Sequence, residues 1–120
     1  QGEVVWFENG VTATGYSGTQ TVASDVDTLK LEAVSDGKIP KGIKAFYGSL
    51  SGVNGTAGQT IRFEADKTGY NIGMTTQTQV NSVANISNGW QQCDSDGDVI
   101  LDVSSSFTNV QIKFYGVMLR

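Results

Sequence analysis

Apolar and polar residues alternate along most of this chain with a period of two, as strands with one buried and one wetted face require. Val110, Ile112 and Phe114 form the clearest run, with Gln111 and Lys113 between them. Ile61 and Phe63 alternate with Arg62 and Glu64, and Val99, Leu101 and Val103 share a face opposite Asp102. Leu29, Leu31 and Ala33, set against Lys30 and Glu32, predict a further strand. Weaker patterns predict strands over 4–8, 19–23, 43–50, 75–80, 83–86 and 90–93. No glycine-free stretch carries an apolar stripe at i, i+3, i+4 and i+7, so helix is not expected.

Five dipeptides that tolerate positive φ punctuate these runs: Asn9-Gly10, Asp36-Gly37, Asn54-Gly55, Asn88-Gly89 and Asp96-Gly97. Tight hairpins require such residues. Pro40 stands just ahead of a strand, where its missing N–H does no harm. About eight to ten short strands with frequent turns predict an all-β fold, an antiparallel β-sandwich or jelly roll. The predicted core is Leu29, Leu31, Ile43, Ala45, Ile61, Phe63, Leu101, Val103, Ile112 and Phe114.

Length and composition narrow the job. A chain of 120 residues makes one domain spanning 1–120, large enough to need no metal or disulfide for stability. Charged residues are only 17%, and Gly, Ser, Thr, Asn and Gln fill the gap. Net charge is -4 with no Lys/Arg cluster, so nucleic acid, which demands a basic stripe, is not an expected partner. No apolar run reaches the length of a membrane span, and no signal-peptide pattern is present. A chain beginning at Gln1 reads as a processed form or as a domain of something longer.

The total lack of histidine removes the commonest general base, the usual triads and most catalytic zinc sites. The single cysteine, Cys93, has no cationic neighbour in sequence and reads as a buried structural thiol. Glu64 and Asp66 could in principle form a glycosidase-like pair, but as neighbours on one strand they read as solvated charges. Catalysis is therefore not expected. Asn54-Gly55-Thr56 and Asn85-Ile86-Ser87 match glycosylation acceptors, a pattern expected by chance in so Asn- and Thr-rich a chain.

Three features could bind something. Asp94, Asp96 and Asp98 place three carboxylates within five residues, a loose likeness to a calcium loop. The spacing departs from an EF-hand, and the flanking strands make a hairpin turn around Asp96-Gly97 the simpler reading; Asp25 and Asp27 could complete a looser site. Trp6, Trp90, Tyr16, Tyr47, Tyr70 and Tyr115 supply more ring surface than the core needs. Ring faces stack on the C–H faces of sugars while nearby amides take the hydroxyls. Trp90 with Asn88 and Gln92 is the best candidate, joined by Tyr115, which alternates with Phe114 and is expected to be the most exposed tyrosine. Against this, Trp6 and Trp90 could simply cap the sandwich core. Finally, residues 75–80 are polar on both faces, which fits either a solvated edge strand or a contact between subunits.

Residues 38–120, about two-thirds of the chain, resemble small β-sandwich domains in virion proteins of tailed bacteriophages. The resemblance starts at Ile39-Pro40-Lys41-Gly42-Ile43-Lys44-Ala45 and continues through Asn88-Gly89-Trp90. It is strongest in the final hairpin, where Asp96-Gly97-Asp98-Val99-Ile100-Leu101 leads to Val110-Gln111-Ile112-Lys113-Phe114-Tyr115-Gly116. Such domains serve as head decorations, head fibres and tail tips. The resemblance implies a place on the virion surface, outside any cell, and attachment to a virion structural protein or to host-surface polysaccharide. It brings no catalytic residues and no cofactor.

Two functions follow as expectations. The first is a non-catalytic virion surface module, a capsid decoration or a tail or fibre domain, closing as a homotrimer. The alternative is a carbohydrate-binding module of a larger secreted protein. An adhesive domain of a bacterial surface protein is a third.

Overall fold

A computed structural model of the chain describes residues 2–65 and 72–120. These contain eight strands and one short helix: β1 (Val4–Val22), β2 (Val26–Leu29), α1 (Leu31–Val34), β3 (Ala45–Val53), β4 (Thr60–Glu64), β5 (Ile72–Gln77), β6 (Asn85–Gln92), β7 (Val99–Val103) and β8 (Phe107–Met118). Gln1, Asp66 and Tyr70 lie outside the described residues.

Strand pairing is nested and antiparallel throughout: β1 with β8, β2 with β7, β3 with β6, β4 with β5. That is the pattern of one long hairpin rolled over on itself. Two further pairings, β3 with β8 and β4 with β7, close the roll. The result is two four-stranded sheets, ordered β1-β8-β3-β6 and β2-β7-β4-β5. Eight strands so connected make a jelly roll, the expected fold class.

The alternating residues close against each other between the sheets. Phe46 of β3 meets Phe63 of the opposite sheet edge-on at 5.4 Å, and Phe114 of its own sheet at 5.1 Å. All ten residues predicted for the core are buried. Ala45, however, stands outside the main core cluster, because in β3 it is Phe46 and Leu50 that point inward. Two polar links also tie the sheets together: the Thr76 hydroxyl donates to the Leu50 carbonyl (3.0 Å), and the Gln91 side-chain oxygen accepts from the Met74 N–H (2.7 Å).

Several sequence expectations are corrected. The strand expected through Leu29, Leu31 and Ala33 ends at Leu29, and Leu31 opens a single helical turn with Ala33 exposed. Leu, Glu and Ala favour helix intrinsically, and a long-range bond decides the matter, because the Asp98 carboxylate accepts the Leu31 N–H at 3.1 Å. Asp36-Gly37 then ends the turn at positive φ, with the Gly37 N–H donating to the Glu32 carbonyl.

Asn9-Gly10 and Asn88-Gly89 are not hairpin turns. The first sits inside β1, where Gly10 (φ 71°) takes up a slip in register against β8 and joins two strands expected separately. The second stays in the ladder, Asn88 opposite Ser49 and Gly89 opposite Gly48, so segments 83–86 and 90–93 are largely merged in β6. Eight consecutive pairs with β3 override the local turn preference. Residues 75–80 are not polar on two wet faces either: Thr76 and Thr78 are buried, and β5 is an edge strand with one face packed inward. Glu64 is buried beside Arg62, whose guanidinium also reaches Asp102 at 3.0 Å, so it is not a solvated charge.

Candidate functional site

The outer face of the β1-β8-β3-β6 sheet carries an aromatic cluster to which each of its four strands contributes a ring. Register creates it. Trp6 of β1 and Tyr47 of β3 both lie opposite Gly116 of β8, and Tyr47 lies opposite Trp90 of β6. Gly116 leaves a trough in this row, into which the Trp6 indole lies down; a Cβ there would sit 2.5 Å from Trp6 Cε3. Trp6 thereby reaches Tyr47 (centroids 5.8 Å apart) and Trp90 (5.7 Å), while Tyr47 meets Trp90 at 5.5 Å. Tyr115 extends the cluster from Tyr47 at 6.4 Å, with the Lys113 ammonium 5.8 Å from its ring centroid.

These rings face water. Trp6 is 59% exposed and Trp90 43%, so neither caps the core. Tyr115 is half-buried, as are Tyr47 and Tyr16, so it is not singled out among them by exposure. Tyr16 packs against the core instead, and burial pushes its phenol up. The rings are tilted against one another by 56–72°. They form a cradle of ring faces and edges and not one flat shelf.

Polar groups border the rings in register. Asn88 and Gln92 lie two residues either side of Trp90, on its face of β6, and both are exposed. The next row joins Asn88 to Ser49 and Lys113, and the row beyond joins Ile86 to Ser51 and Gln111. Among the described residues, the side chains of Asn88, Gln92 and Gln111 hydrogen-bond to no protein group. Their amides are available to a ligand. Trp90, Asn88, Gln92 and Tyr115 are thus brought to one face, as the sugar-platform reading requires. Trp6 and Tyr47 are the members that sequence reasoning left in the general aromatic pool. Alternation of Tyr47 with the inward Phe46 marks it as outward, but nothing local places Trp6 beside it.

The three turn carboxylates are used differently. Asp94 Oδ1 accepts the N–H groups of both Asp96 and Asp98 at 2.9 Å, and Asp98 Oδ1 holds the Leu31 N–H. Burial pushes the Asp98 carboxyl up, opposed by that bond. Gly97 (φ 82°) presses so close to Gly42 that a Cβ would lie 2.6 Å from the Gly42 nitrogen. Among the described residues, no group of three or more Asp, Glu, Cys or His is placed to hold a metal ion. Asp25, proposed as a recruit, accepts the Val103 N–H instead. A cleft of about 490 Å³ opens beside this turn, lined by Lys30, Glu32, Lys41, Asp96 and Asp98 among others, and none of the aromatic residues enters its lining.

Cys93 is buried, and burial together with the Asp94 and Asp98 charges pushes its thiol up to about 12. It is no nucleophile at neutral pH. Asn54 of the first glycosylation pattern is also buried, its side-chain amide donating to Ser105 and Ser106. The chain matches no protein-family model and no curated protein.

Proposed function

We propose that this chain is a non-catalytic binding module that grips an uncharged glycan on the outer face of its β1-β8-β3-β6 sheet. One observation carries the reading: Trp6 and Trp90 stand exposed and in contact on that face, bordered by amides with no partner of their own. An aromatic cradle left open to water is costly unless something covers it. Sugars fit it because their C–H faces stack on rings while their hydroxyls take amide hydrogen bonds. The bordering residues Asn88, Gln92, Ser49 and Gln111 are neutral, and Lys113 is engaged with Tyr115, which favours a neutral ligand over an anionic one. None of these neighbours is a carboxylate or an imidazole, so the bordering residues supply no carboxylate pair of the glycosidase kind, and the reading is one of binding.

The hairpin that resembles phage virion domains also supplies Tyr115 and Gly116 to this face. It supports placing the module on a virion surface, attached to host polysaccharide. A carbohydrate-binding module of a larger secreted protein would use the same residues. The order of genes around it separates those two settings.

The test is retention on immobilised neutral polysaccharides and on a glycan array, for the unaltered chain and for Trp90→Ala and Trp6→Ala. Both substitutions should abolish retention while thermal unfolding stays cooperative. Retention that survives both, or no retention of the unaltered chain on any glycan, refutes the reading.

A further inference from the structure

Among the described residues, the jelly roll leaves four strands at sheet edges: β1, β6, β2 and β5. An unpaired edge offers a row of N–H and C=O groups to another strand, and monomers blunt such edges with charge, proline, bulges or shortness. β1 is broken by register slips, with Gly10, Gly15 and Gly18 at positive φ. β2 spans only four residues and carries Asp27. β5 spans six, and its backbone N–H at Met74 is already taken by Gln91. β6 is blunted by neither slips nor shortness, and the one outward group shown taken by a side chain is the Gln92 carbonyl at its last residue.

It runs eight residues, Asn-Ile-Ser-Asn-Gly-Trp-Gln-Gln, with no charge, no proline and no break in its register with β3. Among the described residues, four of the seven large apolar ones that are exposed, Val80, Val83, Ile86 and Trp90, lie on β6 or in the segment leading into it. The chain carries a net charge of -4, which opposes self-association in general, yet this edge brings no charge to such a contact. Chain direction matters too. An antiparallel strand meets its own copy across a two-fold axis, so one unpaired edge supplies both halves of the contact.

From these observations we infer that β6 pairs antiparallel with β6 of a second copy of this chain, joining two four-stranded sheets into one of eight strands. The two-fold axis stands perpendicular to the sheet, so both aromatic faces lie on the same side. The amides that make the new ladder are those of the even-numbered residues. The Cys93 N–H, one residue beyond β6, donates across to Lys44, which turns alternate amides (91, 89, 87) toward β3 and leaves 86, 88 and 90 facing out. The Gln92 carbonyl follows the same alternation, accepting from the Gln91 side chain and not from β3. This inference does not depend on the ligand of the aromatic face.

Sedimentation equilibrium from about 1 to 100 µM, without any glycan, tests it. The unaltered chain should show twice its 12.8 kDa mass. Ile86→Pro removes an outward amide that β3 does not use, and Ile86→Lys places a charge on the edge while keeping the amide; each should weaken association at least tenfold. If Ile86→Pro fails to unfold cooperatively, Ile86→Lys decides alone. A monomeric or trimeric unaltered chain overturns the inference. So does a dimer whose affinity Ile86→Lys leaves unchanged.

Discussion

Trp6 and Trp90 stand on the two outermost strands of one sheet, yet their ring centroids are 5.7 Å apart. Three strand spacings hold their backbones roughly 14 Å apart. The two side chains close that distance by leaning inward, over Gly116 and against Tyr47. The aromatic face is therefore assembled by side-chain reach across four strands, and each ring is held by its neighbours.

Because the two indoles support each other, their contributions to stability should not add. A double-mutant cycle with Trp6→Ala and Trp90→Ala, read by urea unfolding, should give a coupling of about 0.5–1.5 kcal/mol. Additive losses would mean that the rings do not touch in solution.

Gly116 matters for the space it leaves. Gly116→Ala puts a methyl group 2.5 Å from the Trp6 ring and 3.0 Å from the Val5 carbonyl oxygen. Stability should fall by about 1–3 kcal/mol, and quenching of tryptophan fluorescence by acrylamide should increase as Trp6 is pushed outward. An unchanged spectrum and midpoint would show that the trough is not needed.

In the β6–β7 turn the Asp94 carboxylate works as a backbone acceptor. Asp94→Ala orphans two N–H groups and should cost about 1–2 kcal/mol. Because Asp94 and Asp98 already accept backbone N–H groups, and no group of three such residues is placed for a metal among the described residues, the thermal midpoint should be the same with millimolar calcium and with chelator. A rise with calcium would restore the metal reading of Asp94, Asp96 and Asp98.

Cys93 makes stability pH-dependent in the alkaline range. Its thiol pKa is raised in the fold from the ordinary 9.0 to about 12. Above pH 9 the unfolded chain gives up that proton while the folded chain keeps it, so stability is fully present below pH 9 and falls as pH rises toward 12. Replacing Cys93 with Ala should flatten that part of the pH profile. Thiol reagents at neutral pH should label the folded chain only as fast as it unfolds.

The β-strands of this protein are legible because burial on one face imposes a period of two, and Val110, Ile112 and Phe114 or Ile61 and Phe63 display it without outside help. The turn around Asp96-Gly97 is equally local, since a carboxylate two residues upstream can bond the turn amides itself. Asn9-Gly10 and Asn88-Gly89 misled, because a favourable turn dipeptide says only what the backbone tolerates. A long ladder with β8 or β3 decided what it does. The helical turn at Leu31 likewise depended on Asp98, a partner 67 residues away.

The candidate face divides along the same line. Sequence alone grouped Trp90 with Asn88 and Gln92 as near neighbours, with Asn88 in an expected turn; the unbroken ladder with β3 put all three on one side of β6. That Trp6, Tyr47 and Tyr115 join them was decided only when the nested pairing set the register of four strands and opened a trough at Gly116. Alternation assigns a side chain to a face, whereas strand register assigns it a companion, and register is a balance of pairings spread over the whole chain.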